Sequence, residues 1–170
     1  MEIASLGSLV PDARFPELLV SQPVPVPYFD GSELTFTFDG LSEEYADAAR
    51  KAVNAFLALG ANDRTAASPY VYENYRHVKE ASGDAKIGFQ IASPEEVWRH
   101  VHPSEIFVSQ RGRRDDLLYV SITAECDWEP EHGLQIVYRK GCELSRVSYQ
   151  DGHLTHTDAY DLPEEQDQIV

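Results

Sequence analysis

The stretch ECDWEPEHGL, residues 125–134, holds a thiol, an indole, four carboxylates and an imidazole. Asp127, Glu129 and Glu131 offer hard oxygen donors and His132 a ring nitrogen, the donor types that bind divalent cations. Their spacing lacks the i, i+4 histidine pair of a helical zinc site and the regular step of an EF-hand loop. A turn uses the same residues. Pro130 has no N–H to give a sheet, and Gly133 admits a backbone conformation that other residues resist. Trp128 then anchors the connection in the core, and His132 hydrogen-bonds to backbone or to a nearby carboxylate. The turn reading leads, with no metal and no cofactor assigned.

A second group lies in YQDGHLTHTDAY, residues 149–160. Asp151, His153, His156 and Asp158 could share a strand face by a two-residue step, but His153 and His156 differ in parity and would point to opposite faces. Asp151 and Gly152 form a standard turn pair. His153 beside Asp151 or Asp158 is kept as a candidate group, because an imidazole titrates near neutrality. No nucleophile elbow, Cys-x-x-Cys pair, phosphate-cradling glycine loop or G-x-G-x-x-G is present in the sequence.

The elements that must position these residues follow from periodicity. Alternating prolines in SQPVPVPYFDG exclude helix and predict an extended, edge-like segment turning at Asp30 and Gly31. LTFTF, residues 34–38, alternates as a half-buried strand. SEEYADAARKAVNAFLALG predicts a helix capped by Ser42 and stopped at Gly60, with Tyr45, Ala49, Ala52, Phe56 and Leu59 as its apolar stripe. A second helix is predicted over 69–81, and a third, short one from the capping box at Ser93 to a stop before Pro103. Tyr70, Tyr72 and Tyr75 on the second helix read as a core edge or as a patch facing a partner.

Beyond Pro103 the pattern becomes strand-rich. EIFVSQ is a candidate strand and RGRRDD a charged turn. LLYVSITAEC, residues 117–126, points Leu118, Val120, Ile122, Ala124 and Cys126 inward, and a hairpin turns near Lys140 and Gly141. Segregated helices and antiparallel strands predict a single α+β domain. It divides into an extended and strand segment (1–40), a helical segment (41–102), a β-rich segment (103–160) and a loose acidic tail (161–170).

Composition narrows the function classes. The 170 residues suit one domain, and 14 Lys plus Arg against 29 Asp plus Glu give a formal net charge of −15. Such a field repels phosphate backbones and anionic lipid, so neither nucleic acid nor membrane is expected as a partner, whereas a basic protein is attracted. No apolar run approaches the roughly 20 residues of a membrane span. The N-terminus lacks a basic region before its apolar positions, so a cytoplasmic location is expected. Cys126 and Cys142 are expected as free thiols.

The C-terminal third, with ECDWEPEHGL, QIVYRKG and SYQDGHLT, resembles a family of uncharacterised bacterial domains carrying a Trp, Glu-His-Gly-Leu and Asp-Gly-His signature over about residues 105–160. VPYFDG is the matching segment of the first half. The resemblance implies an interaction protein of immunity or toxin-associated type and carries over no catalytic residue.

The expectation is therefore a cytoplasmic, non-enzymatic, acidic protein-binding module, with Asp127, Trp128, Glu129, Glu131, His132, Asp151 and His153 as binding candidates. The alternative is a small metal-dependent hydrolase built on Asp127, Glu131, His132 and His153, which requires those residues to converge. A scaffold or oligomer-forming role, suggested by the proline-rich edge segment, is the third reading; sequence leaves the oligomeric state open.

Overall fold

A computed structural model of the chain describes residues 2–39, 43–82, 87–112 and 114–170. It is an α+β domain built around one seven-stranded sheet. The N-terminal part contributes short strands: β1 (Glu2–Ile3), β2 (Gly7–Ser8), β3 (Val10–Pro11), β4 (Leu19–Val20), β5 (Val24–Val26), β6 (Ser32–Leu34) and β7 (Phe36–Phe38). Two helices follow, α1 (Ala46–Leu57) and α2 (Ala61–Ser82), and then a 3-10 helix over Pro94–His100. The long strands come last: β8 (Val101–Gln110), β9 (Leu118–Cys126), β10 (Leu134–Arg139) and β11 (Glu143–Ser148), with a short α3 (His156–Tyr160) after them.

The main sheet runs β11-β10-β9-β8-β7-β4-β3. Every pairing in it is antiparallel except β7 with β8, which is parallel because the chain leaves β7, makes its helices and returns in the same direction. Alternation sets two faces. Leu118, Val120, Ile122, Ala124 and Cys126 join Leu134, Ile136, Tyr138 and Val147 in the core, which α1 and α2 complete through Ala52, Val53, Phe56, Val71 and Tyr75. Tyr28 and Tyr138 are both buried there and share a hydroxyl hydrogen bond of 2.9 Å. The opposite face is also covered: Tyr119, Ser121, Gln135, Val137 and Arg146 are buried on it.

Several expectations are corrected. The segment 34–38 is broken at Thr35, because β6 pairs with β5 in a separate ribbon while β7 joins the main sheet. The second helix begins at Ala61, eight residues before the proline taken as its start; Pro69 sits inside it, and the Thr65 and Ser68 hydroxyls hydrogen-bond to carbonyls one turn back. Pro103 lies within β8, where a register shift between Pro103 and Glu105 removes the need for its missing N–H. Residues 27–29 form a 3-10 turn rather than strand, ended by Asp30 in the left-handed conformation. Ser42, read as the helix cap, lies outside the described residues.

The acidic tail is docked, not loose. Val147 N donates to Ile169 O at 2.6 Å, Ile169 and Val170 pack on the core, and Glu164 bonds Arg111 and Arg114. Among the described residues no helix is long and apolar enough to cross a membrane.

Candidate functional site

The β9–β10 connection is built by the residues that made ECDWEPEHGL conspicuous. β9 stops at Cys126, and Asp127 N donates to His100 O at 3.1 Å. Gly133 closes the turn with φ +66 and its N–H on Glu129 O at 2.8 Å; a Cβ there would lie 2.6 Å from Ala124 O. Trp128 is buried, donates Nε1 to Asn74 Oδ1 at 3.1 Å and meets Tyr75 edge-on, tying the turn to α2. Burial pushes the Cys126 thiol up to about 12, so it is an inert core group and not a nucleophile.

Asp127 is gripped by two histidines. Its Oδ2 lies 2.8 Å from His100 Nδ1 and its Oδ1 2.9 Å from His102 Nε2, and these hydrogen bonds hold its carboxyl below the usual range. His100 is stacked flat on Phe89 with ring centroids 4.7 Å apart. Among the described residues no serine, threonine or cysteine is hydrogen-bonded to either ring. Neither histidine was picked out from sequence. The signal was the H-x-H of RHVHP, which the antiparallel register of β8 on β9, His102 opposite Glu125, brings beside Asp127.

Glu129, half-buried, and Glu131 and His132, both exposed, form a separate group whose donor atoms lie within 4.8 Å of one another. His132 Nδ1 is 3.2 Å from Glu129 Oε1, and its ring meets Tyr149 with centroids 5.9 Å apart. Among the described residues these three are the ones that bring together a donor set for a divalent cation. Asp127, turned toward His100 and His102, and His153 do not belong to this group.

Asp151 lies elsewhere. It takes a two-pronged ion pair from Arg146, with both N–O distances 2.6 Å, and accepts from His153 N at 3.0 Å. Burial pushes the Asp151 carboxyl up, but the Arg146 guanidinium and the His153 amide outweigh this and hold it below the ordinary range. The His153 carbonyl accepts from Gln135 and Arg146, while its side chain is exposed. His156 and Asp158, imagined on a strand, lie in α3, which Thr155 caps through a bond from Asp158 N.

The remaining ionic cluster was invisible in sequence. Arg111, 3% exposed, holds Asp158 through Nε and Nη2 at 2.7 and 2.8 Å, Glu164 at 2.7 Å and Asp115 at 3.2 Å. With Arg146 it clamps residues 151–164 onto the second face of the sheet. The arginines thus turn inward and neutralise Asp151, a binding candidate from sequence, and Asp158. Glu125, Glu131, Asp161 and Glu165 remain exposed.

The model of a domain of unknown function, DUF6985, matches residues 5–154. The chain belongs to this family. The DUF6985 match takes in the N-terminal ribbon and helices as well as the C-terminal strands, well beyond the segment whose motifs suggested an uncharacterised family. No curated protein and no solved structure matches the chain.

Proposed function

We propose that the chain is a non-enzymatic, acidic protein-binding module that caps a basic protein, in the manner of an immunity protein neutralising a basic toxin. The observation that carries this reading is the partition of charge. The chain has a net charge of −15, and its buried cations Arg111 and Arg146 are consumed in internal ion pairs. Each pair withdraws a carboxylate along with its arginine, so these buried cations do not offset the acidic excess carried by the remaining surface groups. A field of this sign accelerates encounter with a cationic surface and disfavours anionic ones.

The turn at 127–132 supports a binding role rather than a chemical one. Its indole is buried for anchoring, the adjoining Cys126 thiol is inert, and its exposed ionisable groups are Asp127, held by His100 and His102, with Glu131 and His132. The test uses a catalytically inactive basic nuclease domain as probe, titrated by calorimetry against the native chain and against the double charge reversal Glu129→Lys with Glu131→Lys. Binding that weakens at least tenfold on reversal supports the reading. Binding that persists unchanged removes it.

A further inference from the structure

A cavity of about 290 Å³ opens where the first half of α2 faces the turn from β10 to β11 and the C-terminal tail; Asp63, Ala66, Tyr70, Tyr138, Leu144 and Ile169 are among its walls. Tyr70, Leu144 and Ile169 are half-buried apolar groups packed against the core. Among the described residues no lysine, arginine or histidine lines it, and Asp63 is its carboxylate. The cations next in sequence to its walls are drawn elsewhere: Arg64 to Asp30 at 2.7 Å and over the Trp98 ring, Lys140 to Glu143 at 4.0 Å.

Asp63 is held in place but not neutralised. Its Oδ2 accepts from Gly60 N at 2.8 Å, which fixes the side chain at the start of α2, and among the described residues no cation pairs with it. A carboxylate has acceptor capacity beyond that one bond. Its charge is felt across the cavity: burial, joined by the Asp63 carboxylate, pushes the Tyr138 hydroxyl up to about 12. The volume lies at the lower limit of the roughly 300–1,000 Å³ that a drug-sized molecule fills, a size suited to one inserted side chain.

We infer that this cavity receives a lysine or arginine side chain of a basic protein partner, its aliphatic stem lying against Leu144 and Ile169 beside Tyr70 and its cation meeting the Asp63 carboxylate. The inference rests on the acidic-module reading and adds a place where the partner is gripped. A long cationic side chain suits each part of the wall: apolar surface for the stem, an aromatic ring beside it, and a carboxylate without a competing cation. The site is also separate from the turn at 127–132. That turn leads into β10 and the cavity lies past its other end, about 20 Å away for six extended residues.

The test uses the full ¹⁵N-labelled chain and a capped peptide of alternating lysine and alanine, with a glutamine-for-lysine peptide as the neutral control. The expected result is saturable amide shifts concentrated at 59–70, 142–144 and 169, a response several-fold weaker for the glutamine peptide, and at least a fivefold loss of affinity in Asp63→Asn and in Ala66→Lys. Asparagine keeps an oxygen for the Gly60 amide, and Ala66 is exposed, so both variants should fold, which circular dichroism checks. Shifts confined to other surfaces, or affinity that either variant retains, would overturn the pocket while leaving the acidic module intact. Equal binding of the glutamine peptide would overturn the cationic assignment. No saturable binding at low salt would also overturn the pocket, and the module stands or falls separately on the nuclease-domain titration with Glu129 and Glu131 reversed.

Discussion

Replacing Arg111 by methionine probes the charge partition most severely, because the side chain is almost wholly buried while its partners are not. Asp158 and Glu164 side chains are 20% and 48% exposed. Removing one partner from a buried ionic cluster costs about 3–5 kcal/mol when the opposite charge is stranded. Here the carboxylates rehydrate in part, which places the loss near the lower end, about 3 kcal/mol. For a chain of this size that corresponds to a fall in Tm of roughly 6–12 °C, at about 2–4 °C per kcal/mol.

The pH dependence carries a sign. Burial pushes Asp158 up, yet the hydrogen bond and charge of Arg111 hold it below its usual range; the Arg111 hydrogen bond likewise lowers Glu164. Folded-state depression means stabilisation that is fully present above the unfolded carboxylate pKa, about 4, and is lost as pH falls through the folded value. The difference between wild type and Arg111→Met is therefore full at pH 7 and shrinks below about pH 4. Urea unfolding followed by circular dichroism at pH 7 and pH 3 measures both quantities. A loss below about 1 kcal/mol at pH 7, the level of an exposed ion pair, or a difference that is the same at both pH values, would refute the reasoning.

Three further outcomes follow from the packing. Gly141→Ala puts a Cβ 1.9 Å from the backbone oxygen of Ala52 in α1 at φ +79, and should cost about 2–5 kcal/mol in chemical denaturation, against about 1–2 kcal/mol for Gly31→Ala, whose φ is +85 in open space. Under native conditions a thiol reagent should label one cysteine, the exposed Cys142, and both only in denaturant, since Cys126 is buried; mass mapping of the adduct decides. Trp128→Phe keeps the ring but leaves Asn74 Oδ1 without its donor, for a loss of about 1–3 kcal/mol by urea titration.

Where a feature is local, the sequence displays it. The 118–126 strand, the Lys140–Gly141 turn with φ +51 and +79, and the apolar stripe of α1 all follow from short-range periodicity and turn chemistry. Features that depend on distant partners are hidden. RGRRDD reads as a charged surface turn, yet Arg111 is buried because Asp158 and Glu164 arrive 47 and 53 residues later. Pro69 and Pro103 read as boundaries, yet Pro69 sits inside α2 and Pro103 inside β8 beside a register shift. The two histidines on Asp127 become neighbours only through strand register. Asp151 and His153 were legible as a turn, while the arginine that fixes them was not.

The most direct test of the acidic-module claim is the ionic-strength dependence of association with the inactive basic nuclease domain, followed by stopped-flow fluorescence. Steering by an acidic surface predicts an association rate that falls at least tenfold from about 50 to 500 mM salt while the dissociation rate changes little. An association rate that stays flat across that range would contradict it.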